Sequence, residues 1–200
     1  MAINVSDIYG FDRYIVRRQF FKLFGAAFHI YDETQTQVLF YSKQKAFKLR
    51  EDIRLYTGED MQTELLTIQA RQVMDWGASY DVYDAIERRK VGALRRKAMS
   101  SIVRDQWIIL DVNDQPIGQV QEDSLFKALL RRFVELVTLF LPQSYTVEVG
   151  GSPVGVFTQN FNPFVQKITV DFSVDSGNRL DRRLGIAAAV LMCAIEGRQS

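Results

Sequence analysis

From Leu184 to Ile195 the chain runs Leu-Gly-Ile-Ala-Ala-Ala-Val-Leu-Met-Cys-Ala-Ile, with no charged or strongly polar residue. Wound as a helix, this run is apolar on every face. Such a helix has no side to turn to water and must be enclosed on all sides. Twelve residues at about 1.5 Å each cover roughly 18 Å, well short of the roughly 30 Å apolar layer of a bilayer. The enclosure therefore has to come from protein. The small residues Gly185, Ala187, Ala188, Ala189 and Ala194 let a surrounding wall approach the helix closely. Asp181-Arg182-Arg183 leads into the run, and Glu196-Gly197-Arg198 leaves it.

The rest of the chain supplies material for such a wall. Short runs rich in β-branched and aromatic residues recur between turn residues: Asp12–Arg17, Phe28–Tyr31, Val38–Tyr41, Ile53–Tyr56 and Leu65–Ile68. Three hairpins follow a common plan of an alternating strand, a polar turn, and a return strand that opens on an apolar residue and glycine. They pair Tyr80–Asp84 with Val91–Leu94, Trp107–Asp111 with Ile117–Val120, and Tyr145–Val149 with Val154–Phe157. Glycine at this place predicts a bulge or a close backbone approach, as a strongly curved sheet requires. Strands at this spacing predict an antiparallel sandwich or barrel. Three uneven copies do not make a propeller or solenoid. Two further segments are expected to cover barrel surface: an amphipathic helix over residues 123–141, and a short helical turn in Phe20-Phe21-Lys22-Leu23-Phe24-Gly25.

Several chemistries are disfavoured by count. The chain has one cysteine, Cys193, and one histidine, His29. That is too few for a zinc site of four Cys or His ligands, and an internal disulfide cannot form. His29 lies in Phe28-His29-Ile30-Tyr31 and reads as a packed strand residue rather than a catalytic base. No glycine-rich loop opens a helix, so no phosphate loop is expected and no cofactor is implied. The start of the chain lacks a basic region followed by an apolar run, which disfavours a secretory signal. A reducing, cytoplasmic setting is the expectation, with peripheral contact at the inner membrane face. The expected reading is non-enzymatic.

Twenty-five Lys and Arg balance twenty-four Asp and Glu, a net charge of +1. No overall field draws the protein to nucleic acid, so any electrostatic site must be local. The strongest local concentration is Arg88, Arg89 and Lys90 with Arg95, Arg96 and Lys97, followed by Arg104. These side chains are the candidate site for anionic head groups; the alternative is a solvated hairpin whose cations pair with carboxylates such as Glu87. A second group, Lys43, Lys45, Lys48 and Arg50, carries the same ambiguity. Asp171 and Asp175 are weighed as an acidic pair for a cation, against Asp171 pairing with an arginine and Asp181 capping the final helix. Trp76 and Trp107 read as wall or core residues.

A β-rich domain ending in a wholly apolar helix resembles the Tubby C-terminal-like superfamily, which includes the phospholipid scramblases and the LURP-one-related proteins. The resemblance rests on Phe40-Tyr41-Ser42-Lys43-Gln44-Lys45, the Trp107–Gly118 hairpin, Val170-Asp171-Phe172-Ser173-Val174-Asp175 and the helix from Arg182, in that order. It implies one domain over 1–200, a closed antiparallel barrel of roughly twelve strands around a hydrophobic C-terminal helix at about 181–196. The chain is similar to a compact bacterial member. It lacks the cysteine-rich and proline-rich segments of scramblases. Their acidic calcium segment corresponds to Gln159-Asn160-Phe161-Asn162-Pro163-Phe164, which has no carboxylate, whereas a calcium loop needs six to eight oxygen ligands. The expected partners are anionic phospholipid or a protein. Lipid translocation and a regulatory role without lipid are the alternatives.

Overall fold

Alternation along the first strand decides the architecture. Tyr14 and Val16 are fully buried and Arg18 nearly so, while Arg13 and Gln19 are exposed. The strand thus has an inner face and an outer face. In the computed structural model, which describes residues 7–21, 25–44, 52–71, 78–97, 106–123, 143–160 and 165–196, this pattern repeats until the sheet closes on itself.

The strands are β1 (Arg13–Phe21), β2 (Gly25–Asp32), β3 (Val38–Gln44), β4 (Ile53–Tyr56), β5 (Glu64–Ala70), β6 (Ser79–Asp84), β7 (Arg89–Lys97), β8 (Gln106–Leu110), β9 (Pro116–Glu122), β10 (Gln143–Val149), β11 (Ser152–Asn160) and β12 (Val165–Asp171). Each pairs antiparallel with its sequence neighbour, and β12 pairs with β1 from Arg13↔Asp171 to Gln19↔Val165. Closure leaves no sheet edge exposed.

The apolar run forms α1 (Arg182–Glu196). Leu184 to Ala194 are all buried, and apart from Gly185 each is at most 2% exposed. The helix touches β12 and β1 on one side and β6 and β7 on the other, strands that stand across the barrel from each other. It therefore fills the axis, as its all-round apolar surface requires. At its start Asp181 Oδ1 accepts the Arg183 amide at 2.9 Å and the Asp181 carbonyl accepts the Leu184 amide at 3.0 Å, so Asp181 caps it. At its end Arg18, on the inner face of β1, donates to the carbonyls of Cys193 (2.7 Å) and Ala194 (3.2 Å). A buried cation there satisfies terminal carbonyls and complements the helix dipole.

The three hairpin glycines sit where the wall is tightest. Register shifts occur at Val82/Tyr83, Ile109/Leu110 and Val147/Glu148, one in each hairpin. A Cβ on Gly92 would collide with the Leu110 carbonyl oxygen and one on Gly118 with that of Glu148, while one on Gly155 would lie 2.9 Å from the Phe172 ring.

One local expectation is corrected. Phe20 and Phe21 are not in a helical turn; they continue β1, opposite Ala26 and Gly25 of β2. Pairing with β2 as far as Phe21↔Gly25 holds these residues extended and outweighs the turn signal of Gly25. The expected helix over 123–141, and Trp76, Arg104, Lys45, Lys48 and Arg50, lie outside the described residues.

Candidate functional site

The six candidate cations do not form one patch. All but Arg88, which sits in the turn, lie on β7, and Lys90 and Arg95 are about 17 Å apart at ~3.3 Å per strand residue. The turn end carries Arg88, Arg89 and Lys90; the far end carries Arg95, Arg96 and Lys97.

At the turn end most of the charge is already paired. Arg88 occupies the left-handed region (φ 51°) and is exposed. Arg89 Nε donates to Glu87 at 2.6 Å. Lys90 Nζ lies 3.0 Å from Asp81 and 2.8 Å from Asp114, and Arg71 bridges the same two carboxylates at 2.6 and 2.5 Å. Burial opposes the charge on Lys90, yet its bonds to Asp114 and Asp81 prevail and its pKa is raised. Burial likewise opposes ionised Asp81, and its bonds with Arg71 and Lys90 prevail and lower its pKa. Bonds from Lys90 and Arg71 hold Asp114 low as well. Two cations and two carboxylates thus form a closed network.

The far end differs. Arg95 lies opposite Ser79 and Ile108, and Lys97 opposite Gln106, all on the outer face. Both are exposed and have no carboxylate partner among the described residues. Arg96 alternates inward, opposite buried Trp107, and is half-buried.

The acidic residues are structural. Asp171 accepts from Arg13 Nε at 2.9 Å and from the Ser173 amide at 2.8 Å. Asp175 is fully buried and holds Arg182 at 2.8 Å. Arg183 joins Asp181 (2.7 Å), Asp84 (2.7 Å) and Glu87 (3.0 Å), tying the start of α1 to the β6–β7 turn. His29 is buried on the outer wall, with Nε2 2.8 Å from Glu59 and the Tyr41 ring 5.0 Å away. Among the described residues no group of three or more His, Cys, Asp or Glu is placed to hold a metal ion. No described helix is long and apolar enough to cross a membrane.

Sequence reasoning missed the inward role of Arg18 and the Asp175–Arg182 pair. The first was detectable, since strict alternation from Tyr14 and Val16 carries position 18 to the inner face. The second had no local signal.

The family model for the LURP-one-related proteins matches residues 38–193, from the start of β3 into α1. No curated protein and no solved structure matches the chain. The match takes in ten of the twelve strands (β3 to β12) and nearly all of the axial helix, and on that extent the chain belongs to the LURP-one-related family, within the Tubby-like superfamily.

Proposed function

We propose that the protein is a non-enzymatic binding module that docks peripherally on anionic phospholipid surfaces. The observation that supports this reading is the pair Arg95 and Lys97, adjacent on one outer face, exposed and without a carboxylate partner among the described residues. Each such cation contributes about 1 kcal/mol near an anionic membrane. Arg89 and Lys90 contribute less, because Glu87, Asp81 and Asp114 already neutralise them. The contact is peripheral in this reading because the most apolar segment, α1, is the core of the barrel. Lipid translocation through α1 would require that core to be withdrawn.

Co-sedimentation with vesicles of graded anionic-lipid content tests this. Binding is expected to rise with anionic content and fall with salt. The R95Q/K97Q variant is expected to bind roughly 30-fold more weakly, from two contacts of about 1 kcal/mol each, whereas R89Q is expected to lose much less. Unchanged binding by R95Q/K97Q would remove the assignment.

A second reading is favoured by apolar side chains at the opposite end of the barrel. Met61, Ile86, Val112 and Val174 are 38–56% exposed, and all lie in connections at the end where α1 begins. They suit a protein partner docking on that rim. This reading gains if vesicles of every composition fail to bind.

A further inference from the structure

We propose that the end of the barrel where α1 begins docks a basic, amphipathic helical segment of a partner protein, through Met61, Ile86 and Val112 and the carboxylates beside them. This inference names the partner for the second reading above and rests on that reading. It does not use the cations of β7.

The topology gathers the feature. Strands alternate in direction around the closed sheet, so every second connection lies at this end. Three successive ones join β4 to β5, β6 to β7 and β8 to β9. Each presents one exposed apolar side chain next to one acidic residue: Asp60-Met61, Ile86-Glu87 and Asp111-Val112. Single exposed apolar residues are ordinary on a protein surface. Here, among the described residues, four of the five large ones lie at this one end, the fourth being Val174. Met61 also occupies the left-handed backbone region (φ 53°). Glycine or asparagine is at ease there and methionine is uncommon. Its unbranched thioether adapts readily to the shape of a partner.

The spacing of the tips suits a helix. Neighbouring tips are two strand spacings apart, roughly 10 Å at about 4.8 Å each. Apolar residues seven apart on a helix recur at about 10.5 Å. The three tips together span roughly 20 Å, the reach of about fifteen helical residues.

Charge complementarity selects the partner. The described connections at this end are residues 7–12, 33–37, 57–63, 85–88, 111–115, 150–151 and 172–181, and they hold ten acidic side chains against two basic ones, Arg88 and Arg179. Arg13, Arg89, Arg182 and Arg183 enter from the adjoining strands and helix, but Asp32, Asp84 and Asp171 enter with them, so the excess stays acidic. The whole chain carries +1, so its charge is unevenly divided along the barrel axis. Glu87 is taken up by Arg89 and Arg183, and Asp114 by Lys90 and Arg71. Asp60 and Asp111 have no cationic partner among the described residues. Asp60 accepts the Gln62 amide at 3.4 Å, and Asp111 accepts the amides of Asn113 and Gln115 at 2.8 Å each. Such an excess attracts a basic partner at long range and repels an acidic one. The apolar tips then require an apolar face on that basic segment, and an amphipathic helix supplies both.

The test is a methyl carbon–proton correlation spectrum of the full chain, with the Met61, Ile86 and Val112 signals assigned by their loss in M61Q, I86T and V112T. The probe is a synthetic helical peptide of leucine and lysine, with the leucines on one face. Two counterparts replace its lysines by glutamate or its leucines by serine. The leucine–lysine peptide is expected to move all three signals saturably, and more weakly as salt is added. Both counterparts should leave the signals in place. M61Q/I86T, read at Val112, should weaken the titration about tenfold or more, as the loss of two buried apolar contacts requires. D60N should weaken it about threefold, as one exposed ion pair does. R95Q/K97Q should leave it unchanged, which separates this surface from the one on β7. A leucine–glutamate peptide that binds as tightly would overturn the basic partner and leave an apolar docking rim standing. Signals that move with none of the peptides would overturn the rim reading and this inference together. Equal binding by the serine–lysine peptide, or by M61Q/I86T, would overturn the apolar contact and the proposal with it. The same spectra show whether each variant is folded.

Discussion

Asp175→Asn is expected to destabilise the protein by about 3–5 kcal/mol, the usual result of removing one partner from a buried ion pair. The Asp175 side chain is wholly shielded from solvent. Its carboxylate accepts the amides of Arg179 (3.0 Å) and Leu180 (3.1 Å) and Arg182 Nη1 at 2.8 Å. Arg182 is itself buried, lies 4.6 Å from the Phe172 ring centre and donates to Asn178 at 3.1 Å. Asparagine has nearly the same shape, so the loss would come from an uncompensated guanidinium and not from a hole. The pH dependence gives an independent check. Burial opposes the Asp175 carboxylate, but the amides of Arg179 and Leu180 and the Arg182 guanidinium more than offset it and hold its pKa below the usual carboxylate range. A carboxylate with a lowered folded pKa contributes stability that is fully present above its unfolded pKa and is lost as pH falls through the folded one. Urea titrations at falling pH should therefore show the parent losing stability below about pH 4, with a shallower decline in the Asn variant.

Gly118→Ala is the second large effect. The added methyl would overlap the Glu148 carbonyl oxygen on β10. That atom is backbone in a paired strand, so relief requires moving the β9–β10 ladder itself. A loss of about 3 kcal/mol or more is expected, at the upper end of overpacking costs. Gly151→Ala is the control. Gly151 has φ 75° and nothing within 4 Å of its would-be Cβ, so only backbone strain of about 1–2 kcal/mol is incurred. Equal losses at the two positions would contradict the close-approach account.

Both effects also show what the sequence can and cannot convey. The Leu184–Ile195 run announced an enclosed helix because a pattern without a polar face has one physical outcome. The hairpin glycines announced tight walls because only a missing Cβ fits there. Neither inference needed knowledge of distant residues. Pairings across the barrel did need it. Lys90 looked like part of an anion patch, and only the register brings Asp81 and Asp114 to it. Arg95 and Lys97 were legible as cations, but that no carboxylate among the described residues pairs with them depends on β6 and β8 lying beside them. Asp60-Met61, Ile86-Glu87 and Asp111-Val112 drew no notice because only the topology gathers their three connections at one end. Phe20 and Phe21 resembled a local turn because the partners that hold them extended, Ala26 and Gly25, lie across the connection to β2.

The measurement that bears most directly on the whole account is the reactivity of Cys193 toward a thiol reagent, with and without anionic vesicles. Cys193 is 1% exposed on the axial helix, and its carbonyl accepts from Arg18 at 2.7 Å. If α1 is the fixed core and any membrane contact is on the outer wall, labelling requires unfolding. A stability of at least about 5 kcal/mol would then slow it by roughly 10³-fold or more relative to the denatured chain, and vesicles would not accelerate it. Labelling of the native protein at the rate of a free thiol, or deprotection when vesicles are added, would contradict the enclosed helix and the peripheral mode of binding together.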